Sequence, residues 1–285
     1  MGIERNAAAL LAKVRGDGVS FERTLMLGRQ NVFLDPGDYR RLLGRLGGTA
    51  RAMPPAVPPA VPPTYAEDLF TALGASAVDS VDASTYEHAT LVHDFNTPIP
   101  TAWHQQYDIV FDGGTLEHVF NFPTAVRNAM EALKAGGRFI GVSPLNSWSG
   151  HGFYQFSPEL FWRTFSPDNG FSVVEMYVAG GDGLCYSVID PAVVRERVEL
   201  CTQEPVLLMV HARRDRLVPL FAAPPQQSDY TVFWEAKPAA APPPEVAWKT
   251  LPGIRRLLQI RRHRRFLRQR SLKNRRFYTP VDLSF

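Results

Sequence analysis

Residues 107 to 144 read YDIVFDGGTLEHVFNFPTAVRNAMEALKAGGRFIGVSP, and this stretch constrains the fold more than any other part of the chain. Tyr107–Phe111 is a short apolar run ending at Asp112-Gly113-Gly114, the pattern of a buried strand followed by a turn. A helix is predicted next. Asn121 stands at its cap position and Pro123 in its first turn, and Val126, Met130 and Leu133 fall on one face at i, i+4, i+7. Gly136-Gly137 closes it, and Arg138–Val142 is a second apolar strand. Strand, helix and strand within 40 residues form a βαβ unit, whose strands are parallel and whose crossover is right-handed.

Further strands are predicted at Arg23–Leu27, Ala77–Val81, Ala89–Val92, Ser172–Val178 and Pro205–His211. Asp35 and Pro36 open a helix whose Tyr39, Leu42, Leu43 and Leu46 share a face, with Gly47-Gly48 closing it. Tyr65–Leu73 reads as a short helix, and Ser157 with Pro158 starts another through Phe165. Seven strands with helices between the first five imply an α/β fold, a doubly wound and mostly parallel sheet. The expected organisation is an N-terminal arm or helix at 1–20, a main domain at 21–221, an Ala/Pro-rich linker at 222–252 and a basic tail at 253–285. A proline-rich insertion at 53–63, MPPAVPPAVPP, reads as extended polyproline II.

The Leu116-Glu117-His118-Val119 segment and the Gly136-Gly137 pair, at this spacing after YDIVF, resemble class I S-adenosylmethionine-dependent methyltransferases of the type 11-like group. The resemblance runs more loosely from about Arg23 to about His211. It implies a Rossmann-like seven-stranded sheet in the order 3-2-1-4-5-7-6, with the seventh strand antiparallel. It also implies S-adenosylmethionine as cofactor. In open α/β sheets ligands lie outside the carboxyl ends of the strands, at the topological switch point. There the resemblance gives Asp82 the ribose hydroxyls, Asp94 and Phe95 the adenine, and Asp112, Gly113 and Gly114 the methionine half and reacting methyl. The loop after strand one departs from the family. A glycine-rich cradle is usual, but the chain reads Leu27-Gly28-Arg29-Gln30-Asn31, with Met26 where an acid is expected. Gly28 fits the family pattern, and either Gln30 or Asn31 contributes side-chain hydrogen bonds in a reshaped loop or the pocket has decayed.

Methyl transfer to a hydroxyl needs alignment, a dry site and a place for the proton. His151, His118 and Asp112 are the candidate bases, against a reading in which His118 only anchors the next helix. Tyr154 and Gln155, near His151, are candidate substrate contacts, whereas Phe153, Tyr154, Phe156, Phe161 and Trp162 read as a lid packed on the core. Glu117, His118 and His151 are also similar in placement to the divalent-metal ligands of small-RNA 2′-O-methyltransferases and of some ubiquinone-pathway O-methyltransferases. The acid that those sets carry three residues before the Glu is Gly114 here. The expected activity is O-methylation of a small molecule or saccharide. A scaffold of the same fold without catalysis is the alternative. No G-x-G-x-x-G follows a strand, which disfavours a nicotinamide enzyme.

The net charge of +3 conceals an asymmetry: residues 255–276 hold eleven Lys/Arg and no acid, which leaves 20 basic against 28 acidic residues elsewhere. Such a segment binds an anionic membrane surface, or docks on an acidic partner or on its own acidic body. Nucleic acid ranks behind these, since nothing resembles a DNA-reading module. Two cysteines and no apolar run of membrane-spanning length fit a cytoplasmic protein, with peripheral attachment at a membrane surface through the tail as a further expectation.

Overall fold

The computed structural model describes residues 2–46, 64–180, 183–235 and 252–284. The proline-rich insertion lies outside the described residues, as do Gly47-Gly48 and 236–251 of the expected linker.

The parallel half of the sheet follows the hydrophobic runs. β1 (Arg23–Leu27) pairs in parallel with both β2 (Ala77–Asp82) and β4 (Tyr107–Asp112), β2 pairs with the two-residue β3 (Leu91–Val92), and β4 pairs with β5 (Leu133–Asn146). Alternation along β1 serves two cores: Leu25 and Leu27 pack on one face and Met26 on the other. The first face is covered by α4 (Phe122–Ala132) and α5 (Pro158–Thr164), and the second by α1 (Arg5–Gly16), α2 (Pro36–Leu46) and α3 (Glu67–Ala72). The expected N-terminal arm is thus α1, with Leu10, Leu11 and Val14 fully buried.

The expected seven-strand order needs correction. Among the described residues the sheet has nine strands, in the order β3-β2-β1-β4-β5-β8-β6-β7-β9. β8 (Val206–Arg214) runs antiparallel to both β5 and β6 (Phe171–Gly180). The two unforeseen strands, β7 (Cys185–Val188) and β9 (Tyr278–Val281), extend the edge beyond β6. β9 comes from the basic tail. Tyr278 is fully buried, and its hydroxyl donates to the Glu199 carbonyl at 3.1 Å. A one-turn helix, α6 (Pro191–Val194), joins β7 to β8, α7 (Ser228–Glu235) lies inside the expected linker, and α8 (Pro252–Gln269) makes up the first half of the basic tail.

Two local expectations also change. The helix after β4 stops at Ala132, and Gly136-Gly137 lie within β5 at a register shift. A Cβ on Gly137 would meet the Lys134 and Tyr107 carbonyls at 3.0 and 3.1 Å, so glycine permits a close backbone approach there. Asn121 does not cap α4 with its side chain, which donates to the Asn96 carbonyl and so ties the helix start to the loop after β3. Ser157 caps α5 as expected, accepting from the Leu160 amide at 3.3 Å.

Candidate active site

The carboxyl ends of β1, β2 and β4 border a cleft of ≈ 550 Å³, within the usual range for small-ligand sites. Gly28, Gln30, Asp82, Asp94, Phe95 and Gly114 line it, together with His118. Six of the expected cofactor residues are therefore brought together. Gly28 and Gly114 have φ of +68° and +99°, and both turns bend back from the strand ends. Asp82 accepts from the Ser84 amide through Oδ1 at 3.2 Å. Asp94 is exposed, and hydrogen bonds from the Asn96 amide and side chain hold its carboxyl below the usual range. Phe95 is buried, with the His93 ring edge-on at 6.1 Å.

The rewritten loop after β1 does not close the cleft. Arg29 turns to the rim, where its guanidinium lies 3.9 Å from the centre of the Tyr65 ring and its Nε donates to Glu67 at 2.7 Å. Gln30 turns inward and is 4% exposed. Its amide nitrogen donates to the Leu27 carbonyl and, at 3.2 Å, to the Thr115 hydroxyl, while its Oε1 has no partner among the described residues. A Cβ on Gly113 would stand 2.5 Å from that Oε1, so Gly113 serves the Gln30 side chain and does not line the cleft.

Asp112 does not line the cleft either. It is 1% exposed, and its Oδ1 accepts from the Thr115 and Leu116 amides at 2.8 and 3.4 Å. It organises the turn that carries Leu116-Glu117-His118. Burial pushes its carboxyl up despite those amides. Tyr154 and Gln155 also lie elsewhere. The Tyr154 hydroxyl donates to the Phe120 carbonyl at 2.6 Å and its ring stacks on Phe156, whereas Gln155 accepts from the Trp148 amide at 2.9 Å and lines a separate cleft.

The three candidate metal ligands do converge. The loop after β5 folds back because the Phe153 and Tyr154 amides both donate to the Glu117 carbonyl, at 2.9 and 3.2 Å. Gly152 makes that approach possible: a Cβ there would meet the Glu117 carbonyl at 2.9 Å and His118 Nδ1 at 3.2 Å. Ligand atoms of Glu117, His118 and His151 lie within 4.8 Å of one another. Each Nε2 faces Glu117 Oε1, at 3.9 Å from His118 and 3.7 Å from His151, and the two rings are 5.1 Å apart. Glu117 is fully buried and neither carboxylate oxygen has a hydrogen-bond partner among the described residues. Burial, then the charge of Asp112, raises its carboxyl above the ordinary range. Burial lowers both imidazoles, so they favour the neutral form that can ligate a cation or take a proton.

No family model matches the sequence, and no curated protein matches it. Among solved structures the chain is similar to N-methyltransferase NodS from Bradyrhizobium japonicum WM9, at 10% identity and a TM-score of 0.41 over 74% of this chain and 96% of that one. The same enzyme in complex with S-adenosyl-L-homocysteine gives 11% identity and a TM-score of 0.40, over 75% of this chain and 88% of that one. A mutant 16S rRNA (adenine(1408)-N(1))-methyltransferase from Catenulisporales acidiphilia gives 12% and 0.37, over 76% and 94%. Scores this low leave the functional reading to the site itself.

Sequence reading missed Thr115, which links the two halves of the cleft floor by donating to the Leu27 carbonyl at 2.7 Å and accepting from Gln30. A lone hydroxyl after a Gly-Gly turn gives no periodic signal.

Proposed function

We propose that the chain is an S-adenosylmethionine-dependent methyltransferase that acts on a hydroxyl of a small molecule or saccharide. The observation that carries this reading is the ≈ 550 Å³ cleft, open at the switch point of the sheet with Asp82 and Phe95 on its walls. The residues fit the cofactor: a carboxylate after β2 can accept from both ribose hydroxyls, Phe95 offers an apolar flank for a base, and the Gly28 and Gly114 turns bring backbone close. When bound, the cofactor supplies an activated methyl on sulfonium. The chain then has to align an acceptor, exclude water and receive a proton.

The cluster of Glu117, His118 and His151 fits a divalent cation, because it offers a buried carboxylate without partners and two neutral imidazoles. An ion held there would orient an acceptor hydroxyl and lower its pKa. If no ion binds, His118, which lines the cleft, is the better-positioned base, ahead of His151 and Asp112. The basic tail is outside this chemistry.

Isothermal titration with S-adenosylmethionine and S-adenosylhomocysteine tests the reading. Binding to the wild type is expected, with affinity about tenfold weaker in Asp82→Ala, the cost of a charge-assisted hydrogen bond. Absence of heat at millimolar ligand removes the enzyme reading. The inward fold of Gln30 into the space of the usual glycine cradle is what favours a scaffold without catalysis, and that version wins if deleting the tail abolishes function while Asp82→Ala leaves it intact.

A further inference from the structure

The basic tail is not a free polycation. Its last third is fixed to the body: the Cys201 amide donates to the Arg270 carbonyl at 2.7 Å, the Ile189 amide to the Phe277 carbonyl at 3.1 Å, and β9 pairs with β7. A turn within it is held by Asn274, whose side chain donates to the Gln269 carbonyl at 2.7 Å and whose carbonyl accepts from the Phe277 and Tyr278 amides at 3.0 Å each. Between this turn, the end of α8 and the segment after α6 lies a groove of ≈ 1120 Å³.

The charges in the groove do not cancel. Each acid on its wall is engaged by one arginine: Glu196 by Arg276 at 2.8 Å, Glu199 by Arg270 at 2.5 Å and Asp229 by Arg197 at 2.5 Å. Among the other cations that face the groove, Arg265, Arg268, Lys273 and Arg275 have no side-chain ion pair or side-chain hydrogen bond among the described residues. Unbalanced positive charge in a concave wall focuses potential and attracts anions. Guanidinium groups match phosphate oxygens in a fork, and several at one site select a multiply charged anion over a singly charged one. The groove also shares Arg197, Glu199 and Arg270 with the ≈ 460 Å³ cleft that reaches Asn146 and Gln155, so a ligand longer than its anionic head has room to continue.

We propose that this groove binds the diphosphate group of a soluble organic diphosphate or the phosphates of a lipid headgroup, with Arg265, Arg268, Lys273 and Arg275 as the recognising cations. The site is independent of the cleft at the strand ends and stands whether or not that cleft takes S-adenosylmethionine.

The test is titration of the full chain at low salt with inorganic pyrophosphate, orthophosphate, a nucleoside diphosphate and vesicles containing a phosphoinositide bisphosphate. Pyrophosphate is expected to bind more tightly than orthophosphate, with affinity falling as salt rises. The double variant Arg268→Gln/Arg275→Gln is expected to weaken it about tenfold per guanidinium removed, while Arg268→Lys/Arg275→Lys loses less. A melting curve checks the fold of both variants, whose altered side chains are exposed. Competition by the nucleoside diphosphate assigns the soluble source, and competition by vesicles assigns the headgroup. Both support the site. The proposal is overturned if pyrophosphate gives no heat, if the double variant binds it as the wild type does, or if only a long polyanion such as heparin binds and pyrophosphate fails to displace it. S-adenosylhomocysteine titrated into the same variants reports on the other cleft, so failure of one site is distinguishable from failure of the other.

Discussion

Two of the places in this molecule that bring a glutamate and a histidine together behave in opposite ways. On β6, Glu175 sits directly across from His211 on β8, with Oε2 3.4 Å from His211 Nδ1. Lys13 of α1 pairs with its other oxygen, and Tyr177 also hydrogen-bonds to it. Burial alone would raise Glu175, but hydrogen bonds from His211, Lys13 and Tyr177 and the charge of Lys13 outweigh it and hold the carboxyl at about 2. After β4, Glu117 is buried beside two histidines and nothing donates to it among the described residues, so it is pushed the other way. The same residue types thus give an ion pair that fastens α1 to the sheet and, around a buried carboxylate, a set of ligand atoms of which His118 lines the cleft. A buried carboxylate without donors costs stability, and a fold keeps such a group where a ligand compensates for it.

Adding a divalent cation sharpens that contrast most. Manganese or cobalt at 100-fold excess over its dissociation constant should stabilise the wild type by about 2.7 kcal/mol. Glu117→Gln should abolish this gain and leave the metal-free protein as stable as the wild type or more so, because a desolvated carboxylate has been replaced by an amide. Melting curves with metal and with chelator measure both. Equal metal-induced shifts in the two proteins would remove Glu117 from any metal site.

Glu175→Gln should behave in reverse, losing about 2 kcal/mol in denaturant unfolding at neutral pH whether or not metal is present. The pH dependence follows from the lowered carboxyl. Its ordinary value is 4.5 and its folded value about 2, so its contribution is complete above 4.5 and is lost as pH falls through that window toward 2. The groups that face it are Lys13 and Asp17 at the end of α1, His211 on β8, and Tyr177 with Cys185 behind it. Wild type should therefore lose more stability than Glu175→Gln as pH falls from 4.5 to 2, the excess being the Glu175 share. Identical acid profiles would mean that the pair contributes nothing to the docking of α1.

Much of this was legible in the sequence, and the losses have physical reasons. The β4–α4–β5 unit could be read because its strands are buried on both faces and appear as continuous apolar runs. β7 and β9 could not. Each has four residues, and their register joins Cys185 to Val281 across the chain, which no local period encodes. The arginines around β9 left open a solvated tail, one docked on the acidic body and one seeking an anionic surface, because composition does not show that Phe277 and Tyr278 are buried. At the site, Asp82, Asp94 and Phe95 could be placed beside the cleft because the switch point locates them without side-chain detail. Asp112 was misplaced because an acid after a strand is equally suited to face a ligand or to hold the amides of its own turn, and here Thr115 and Leu116 claim it. Glu117, His118 and His151 were joined only through their resemblance to a known ligand set, since their meeting depends on two amide bonds to one carbonyl and on Gly152 permitting the approach.

The smallest expected effect concerns Gln30, which separates an open cleft from an obstructed one. Its amide nitrogen is committed to the Leu27 carbonyl and the Thr115 hydroxyl, and Thr115 keeps its own bond to Leu27 when the glutamine is removed. Gln30→Ala therefore loses two hydrogen bonds but also removes the unpartnered Oε1, for a net cost of about 1 kcal/mol. Because its donors point at the protein and not outward, S-adenosylhomocysteine affinity should change by no more than about threefold, well short of the tenfold loss expected for Asp82→Ala. A rise of tenfold or more in Gln30→Ala would mean that the side chain obstructs the cofactor and that the departure from the glycine-rich loop is a loss of function. A fall of that size would make Gln30 a direct cofactor contact, so calorimetry on this one variant separates a floor, a plug and a ligand-binding group.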